Sequence, residues 1–357
     1  MSTRDYSDLF STIMQQLQEF NSGVLQASDY AKSIGNIDVG TTPADIVHKG
    51  RNLRLLHYKP IVEKTHPVPL LVVYALINKY YALDLQPDKS WVRGMLKHGF
   101  DVYMIDWGEA QPIDRYLTFD DYVNRYIDYC VDLVRDASGQ EKISIHGYCM
   151  GGTMSVMYAS LHGEKVKNLY VTAPVIDTEK DTTVLGTLSK HIDADLLIDN
   201  YGNVPPKFLY LCYSILKPFK QNVRKYMEFA NNLHDKDFVE NFMRVEKWLY
   251  DTPPIAGETF RQWIKDIYQK NLLVKNQMKL GDKLVDLRKI NIPLLTVVAE
   301  DDHLVSPECS VPLNYTVSSE DKELQVYPTG HIGLLASAYS QEHIIPEIAS
   351  WLKERSY

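Results

Sequence analysis

The chain has 357 residues, a hydrophobic content of 45% and a formal net charge of −8, as expected for one elaborated globular domain in solution. The acidic excess argues against a nucleic acid partner, because phosphate binding requires clustered lysines and arginines. The four cysteines form no Cys-x-x-Cys pair, which excludes the usual zinc and disulfide frameworks and indicates a reducing cytosol. They are Cys130, Cys149, Cys212 and Cys309.

The N-terminal segment, residues 1–40, is predicted to be helical. Apolar residues recur at helical spacing between residues 7 and 30: Leu9, Phe10, Ile13, Met14, Leu17 and Phe20. The start of the chain has neither the basic nor the apolar region of a signal peptide, and no apolar stretch approaches the ~18 residues of a membrane-spanning helix. We therefore expect a cytoplasmic protein.

The rest of the chain alternates between apolar strands and helices. Strands are predicted at residues 53–58, 68–74, 101–106, from 143 to Gly147, 166–172, 292–299 and 322–327, and helices at 119–137 and 150–161. This alternation predicts a mostly parallel sheet flanked by helices. It stops between residues 177 and 288, where helical patterns and aromatic residues predict an inserted, mainly helical cap. The core would then comprise residues 41–176 and 289–357.

A Gly-x-Cys-x-Gly motif follows the strand that begins at residue 143. It spans Gly147 to Gly151 and has the layout of the nucleophile elbow of α/β-hydrolases, with Cys149 where most such enzymes carry serine. The glycines leave room for a sharp strand-to-helix turn, and the N-terminus of the new helix favours a thiolate and an oxyanion. The backbone N–H of Met150, and one near Ala75 after the strand at 68–74, are predicted oxyanion donors. The alternative is a buried structural cysteine in a glycine-containing loop.

An acid and a histidine follow the last two predicted strands. Asp302, rather than Asp301, is the predicted triad carboxylate, and His331 lies directly after the final strand, flanked by Gly330 and Gly333. The order Cys149, Asp302, His331 is the order of nucleophile, acid and base along an α/β-hydrolase chain. The combination therefore predicts a catalytic triad in an α/β-hydrolase fold, although an isolated Asp would more often cap a turn and an isolated His would more often be structural.

Several long segments resemble polyhydroxyalkanoate synthases. They are PLLVVYALINKYYALDL at residues 69–85, DVYMIDWG at 101–108, GYCMGG at 147–152, GETFRQWIKD at 257–266, DDHLV at 301–305 and GHIG at 330–333. Lipases and esterases share the elbow and the triad order but not these segments. The chain length is similar to that of the short synthases of class III or class IV, and the cap and histidine segments are more similar to class III.

The resemblance implies a function and a role for each site residue. The family polymerises (R)-3-hydroxyacyl-CoA, here 3-hydroxybutyryl-CoA, into polyhydroxyalkanoate with release of CoA. Cys149 would be the acyl acceptor and His331 its general base. Asp302 would either orient His331 or help to activate the substrate hydroxyl. No cofactor and no metal are implied, since the CoA thioester is the substrate.

The resemblance also implies partners, namely the growing polyester chain on its granule, a second small helical subunit and a second copy of the chain. Two other interpretations stay open. A Cys-nucleophile thioesterase or esterase of the same fold would release free acid and CoA. A non-catalytic, granule-associated binding protein would form no acyl adduct, but it would have no need for Cys149, Asp302 and His331 together.

Overall fold

A computed structural model describes residues 37–62, 66–216, 227–229, 231–233 and 235–357 of the chain. The helix predicted between residues 7 and 30 lies outside this part. Within the described residues, no helix has both the length and the apolar character needed to cross a membrane.

The main sheet has eight strands in the order β1-β2-β4-β3-β5-β6-β9-β10. The strands are β1 Ala44–Lys49, β2 Arg54–Tyr58, β3 Leu70–Val73, β4 Val102–Asp106, β5 Ile143–Tyr148, β6 Val166–Thr172, β9 Leu294–Ala299 and β10 Lys322–Tyr327, with a separate hairpin of β7 Lys279–Leu280 and β8 Lys283–Leu284. The pairs β1–β2 and β2–β4 are antiparallel, and the other neighbours in the main sheet are parallel. The predicted mostly parallel sheet is confirmed.

The central strands are buried along their whole length, whereas the edges are not. Every residue of β3, β5 and β9 is buried, which requires cover on both faces of the sheet. Strand β1 is largely exposed and its register shifts between Ile46 and His48. The sequence did not indicate β1, because an exposed edge strand with mixed polarity lacks the apolar run on which strand prediction depends.

Helices connect the strands of the main sheet and, apart from the hairpin β7–β8, supply the regular structure between β6 and β9. They are α1 Trp91–Lys97, α2 Asp128–Ser138, α3 Met150–His162, α4 Val184–His191, α5 Ala194–Tyr201, α6 Pro206–Leu216, α7 Lys236–Tyr250, α8 Gly257–Gln262, α9 Pro307–Ser310, α10 Pro312–Thr316 and α11 Ile345–Lys353, with π-helical stretches at Asp121–Ile127 and Trp263–Gln269. Helices α4 to α8 lie where the cap was predicted. The helix predicted at 119–137 consists of a π-helical stretch followed by α2.

The order of the strands fixes where a site forms. From β3 the chain passes to β4 on one side, and it then returns to β5 on the other side of β3. The carboxyl ends of β3 and β5 therefore flank a topological switch point, where open α/β sheets bind their ligands. The loop after β3 is also attached to the cap, since Trp248 of α7 donates its indole N–H to the Lys79 carbonyl at 3.1 Å. The Tyr81 hydroxyl donates to Asp251 at 2.6 Å.

Candidate active site

Cys149 lies on the turn between β5 and α3. Its φ of 54° and ψ of −124° place a non-glycine residue in a rarely occupied backbone conformation, which costs free energy and is typical of functional turns. Two backbone hydrogen bonds hold the turn, from Cys149 N to the Thr172 carbonyl at 2.9 Å and from Thr153 N to the Cys149 carbonyl at 3.1 Å. Cys149 is half-buried, whereas Cys130 and Cys309 are buried.

The two flanking glycines are required by close approaches. A Cβ at Gly147 would lie 2.6 Å from the Gly152 Cα, and a Cβ at Gly151 would lie 2.1 Å from the Val73 carbonyl oxygen. Real Cβ atoms do not approach other atoms this closely. At Gly151 all three near atoms are main chain, and at Gly147 the Ser155 hydroxyl oxygen is also within 2.5 Å. The first turn of α3 therefore packs directly on the end of β3, as the motif predicts.

Asp302 and His331 form a buried pair at the same edge of the sheet. They follow β9 and β10 respectively, and Asp302 Oδ2 lies 2.6 Å from His331 Nδ1. Only 6% of each residue is exposed. Asp302 Oδ1 also accepts hydrogen bonds from the backbone N–H groups of Leu304, at 2.8 Å, and Val305, at 2.9 Å. Asp302 therefore caps its own turn with one oxygen and binds the imidazole with the other.

The charge state of His331 depends on its neighbours. Burial on its own lowers the pKa of His331, but the charge and hydrogen bond of Asp302 and the hydrogen-bonded side chain of Cys149 act in the opposite direction and raise that pKa to about 10. The protonated imidazole is therefore the favoured form in this environment. The structure brings the sequence-predicted Cys149, His331 and Asp302 into one connected arrangement.

The predicted oxyanion donors lie beside this arrangement. Met150 is the first residue of α3, so its N–H is one of the first-turn donors that have no partner within the helix. Ala75 is buried two residues beyond the end of β3. It adjoins Tyr74, whose carbonyl carbon would lie 2.7 Å from a Cβ at Gly151. Their role as donors remains a prediction.

Three aromatic residues around the site were not singled out from the sequence. Tyr148 donates its hydroxyl to the His331 carbonyl at 3.3 Å, and the two rings lie 4.9 Å apart between centroids. Tyr74 stacks on Tyr148 at 5.6 Å, and Trp107 donates its indole N–H to the Tyr74 carbonyl at 2.8 Å. The sequence signal for the two tyrosines was their position. Tyr74 immediately precedes the predicted oxyanion donor Ala75, and Tyr148 immediately precedes the predicted nucleophile Cys149.

Other polar residues give no metal-binding arrangement. Within the residues that the structure describes, no group of three or more His, Cys, Asp and Glu side chains is placed to hold a metal ion. His303, next to Asp302, is exposed, and the buried cysteines Cys130 and Cys309 have pKa values raised by burial.

Comparison with known proteins agrees with this fold. Residues 68–338 match the family model for the alpha/beta hydrolase fold, and residues 7–95 match that for the N-terminus of poly-beta-hydroxybutyrate polymerase (PhaC). A monoacylglycerol lipase from Paleococcus ferrophilus superposes with a TM-score of 0.53 at 17% identity, covering 85% of this chain and 99% of the lipase. The predicted α/β-hydrolase fold is confirmed.

Two relatives are similar over nearly the whole chain, and each is described as "Poly(3-hydroxyalkanoate) polymerase subunit PhaC". The protein from Haloferax mediterranei is 46% identical over 98% of this chain and 71% of its own length. The protein from Synechocystis is 41% identical over 99% of this chain and 92% of its own length. The chain therefore belongs to the PhaC family of poly(3-hydroxyalkanoate) polymerase subunits.

Proposed function

We propose that this protein polymerises (R)-3-hydroxyacyl-CoA, with 3-hydroxybutyryl-CoA as substrate, into a poly(3-hydroxyalkanoate) through a covalent acyl-Cys149 intermediate. The observation that carries the proposal is the arrangement of Cys149 on a strained strand-to-helix turn beside the buried His331–Asp302 pair, in a chain of the PhaC family. The roles of Cys149, His331 and Asp302 as nucleophile, base and carboxylate are part of this proposal.

The first step transfers the acyl group to the enzyme. With the proton on His331, the Cys149 thiolate attacks the thioester carbonyl of the substrate, and the backbone N–H groups of Met150 and Ala75 stabilise the resulting oxyanion. The tetrahedral intermediate collapses by breaking the bond to the CoA sulfur, which takes the proton from His331. The products of the step are acyl-Cys149, neutral His331 and free CoA.

The second step extends the chain. Acylation removes the thiolate, one of the influences that raise the pKa of His331, so the imidazole is held less strongly in its protonated form and is available in its neutral form as the base for the next proton. Neutral His331 takes the proton from the 3-hydroxyl of a second substrate or of a chain end, and the oxygen attacks the acyl-Cys149 carbonyl. Loss of the Cys149 thiolate forms the new ester and restores the initial charge state.

A cysteine nucleophile suits this repeated transfer. Attack by Cys149 exchanges one thioester for another of similar energy, so the acyl group stays activated for the next step. An oxygen ester on serine would be a poorer donor to a hydroxyl. This difference accounts for a cysteine in a polymerase built on the fold of serine hydrolases.

For Asp302 we propose the orienting role. Its Oδ2 is 2.6 Å from His331 Nδ1, and its Oδ1 accepts two backbone N–H bonds. These contacts hold the imidazole with Nε2 available for proton transfer and stabilise the imidazolium. They occupy three of the roughly four lone-pair sites of this buried carboxylate, which favours orientation of His331 over direct activation of the substrate.

We also propose that the chain works with a second, small helical subunit, as a dimer, at the surface of the polyester granule in the cytoplasm. The descriptions of the two relatives support a second subunit, since each of those proteins is described as a polymerase subunit. Exposed apolar side chains on the cap helices offer contact area; they include Leu196, Tyr201, Leu211 and Tyr250. Light scattering of the purified chain with and without the candidate subunit tests the assembly.

The reaction is tested by the size of the acyl product. The purified chain is mixed with 3-hydroxybutyryl-CoA, and small products are measured by mass and large ones by light scattering. Long polyester that Cys149→Ala abolishes is the expected result. Stoichiometric free 3-hydroxybutyrate would instead establish the thioesterase alternative, and the absence of any acyl adduct would establish the binding-protein alternative.

A further inference from the structure

We propose that Tyr148 is a positioning residue for His331. Together with Tyr74 and Trp107 it forms an aromatic brace that fixes the base relative to the oxyanion loop, by which we mean residues Tyr74 and Ala75 directly after β3. The inference rests on the proposed function, because it assigns a role relative to Cys149 and His331. It adds to that function a set of residues that the Gly-x-Cys-x-Gly motif does not specify.

His331 needs support from side chains because no strand holds it. It lies four residues beyond the end of β10 and directly before a short 3-10 turn, Ile332–Leu334. The hydroxyl of Tyr148 donates to the His331 carbonyl at 3.3 Å, and its ring lies 4.9 Å from the imidazole at an interplanar angle of 50°. Tyr148 is 2% exposed and belongs to the fully buried β5, so the contact comes from a rigid element.

Asp302 and Tyr148 constrain different parts of the histidine. Asp302 binds Nδ1 and so sets the rotation of the ring, whereas the Tyr148 hydroxyl binds the main chain and sets the position of the Cα. Because Tyr148 also immediately precedes Cys149, it links the backbone of the base to the backbone of the nucleophile. A shift of this link changes the distance from Cys149 Sγ to the imidazole, on which proton transfer depends steeply.

The same stack reaches the oxyanion loop. Tyr74 stacks on Tyr148 with centroids 5.6 Å apart, and Trp107 donates to the Tyr74 carbonyl at 2.8 Å. The Tyr74 carbonyl and the Ala75 N–H belong to one planar trans peptide group, so fixing the carbonyl fixes the direction of the N–H. The brace therefore connects the end of β3, the nucleophile turn and the histidine loop.

The test uses Tyr148→Phe, which keeps the ring and removes the hydroxyl. Alkylation of Cys149 by iodoacetamide, followed on the Cys149 peptide by mass, reports the thiolate without any substrate. Loss of the hydrogen bond to the His331 main chain should slow alkylation at pH 7 by roughly five- to tenfold. The difference between the two rates should narrow as the pH rises towards 10, because His331 then loses the proton with which it stabilises a neighbouring negative charge.

The matched control is Tyr158→Phe. Tyr158 is also buried, and its hydroxyl binds Asp128 at 2.9 Å, away from Cys149. This variant should have the parental alkylation rate at every pH. A folded Tyr148→Phe with the parental alkylation profile would overturn the positioning role, whether or not the chain makes polymer. Polymerisation is measured separately by product size, so failure of the brace and failure of the proposed function are distinguishable.

Trp107→Phe keeps the inference testable if Tyr148→Phe does not fold. It removes the donor to the Tyr74 carbonyl while leaving Tyr148 and His331 in place. We expect alkylation at pH 7 to be unchanged and single-turnover acylation by 3-hydroxybutyryl-CoA to slow by about fivefold, because only the oxyanion loop is released. Unchanged acylation would show that the brace does not extend to this loop and would overturn that half of the proposal.

Discussion

The nucleophile turn and the histidine loop bring their residues to the site in different ways. Cys149 is held by backbone, through the hydrogen bonds to Thr172 and Thr153 and the contact of Gly151 with the end of β3. His331 is held by side chains, through Asp302 and Tyr148. Changes at the glycines of the nucleophile turn should therefore affect folding, whereas changes at the histidine loop should affect the reaction rate and the pH dependence of rate and stability.

The largest expected effect is the loss of the nucleophile itself. Cys149→Ala should lower polymer formation by a factor on the order of 10⁴ or more, while the free energy of unfolding should fall less than in Gly151→Ala because the substitution adds no atom to the turn. Polymer yield and urea unfolding measure the two quantities. If the variant retained polymerisation, the acyl intermediate would have to lie elsewhere.

Asp302→Asn tests the histidine loop. The amide keeps the size of the carboxylate but removes its charge, so the pKa of His331 should fall and acylation should slow by about 10²- to 10⁴-fold. Single-turnover acylation and the extension of a preformed acyl-enzyme are measured separately. Normal acylation with slow extension would favour the alternative in which Asp302 activates the substrate hydroxyl.

Gly151→Ala tests the nucleophile turn. The added Cβ would meet the Val73 carbonyl oxygen at 2.1 Å, so we expect the free energy of unfolding to fall by about 3 kcal/mol. Gly163→Ala, at the other end of α3, is the control, because nothing lies within 4 Å of its Cβ and it should raise the stability by about 0.5 kcal/mol. Equal unfolding midpoints for the two variants would show that the turn tolerates a side chain.

The raised pKa of His331 predicts a pH-dependent stability. The value rises from 6.5 to about 10 on folding, so the protonated form stabilises the native state. This contribution is present in full below pH 6.5 and is lost as the pH rises towards 10. The difference in unfolding free energy between the parent and His331→Gln should therefore shrink over this interval. A difference that stayed constant or grew would contradict the assigned charge state.

The smallest expected effect is at the attachment of the cap. Tyr81→Phe removes the hydroxyl that binds Asp251 at 2.6 Å, at a cost of about 1 kcal/mol for a partly buried bond. If the cap keeps water from acyl-Cys149, the fraction of free 3-hydroxybutyrate among the products should rise slightly. Tyr129→Phe, whose exposed hydroxyl is 3.4 Å from His48, should change neither quantity.

The sequence predicted the parts of the site that depend on local backbone. Cys149, Gly147 and Gly151 form a local motif whose spacing reflects a strained turn. Asp302 and His331 could be placed because they lie three and four residues beyond the ends of β9 and β10, and parallel strands end at the same edge of the sheet. The sequence predicted the fold class but not the order of the central strands. Strand order depends on packing between segments that are far apart in the chain.

The parts that the sequence did not predict depend on long-range contacts. Tyr148 and His331 are far apart in the chain, and nothing local indicates that the tyrosine hydroxyl meets the histidine carbonyl. Strand β1 was not predicted because it is an exposed edge strand, and its sequence therefore lacks a continuous apolar run. The sequence predicted a helix over Asp121–Ile127 but not its π-helical form, because its residues have an ordinary helical pattern.

The most direct test of the account is to locate the first acyl group on the protein. The chain is mixed with 3-hydroxybutyryl-CoA, quenched within the first turnover, digested and analysed by mass. We predict a hydroxybutyryl group on the peptide that contains Cys149, absent from Cys149→Ala and delayed in Asp302→Asn. Polymer formation with the acyl group on another residue, or with no covalent adduct at all, would contradict the mechanism.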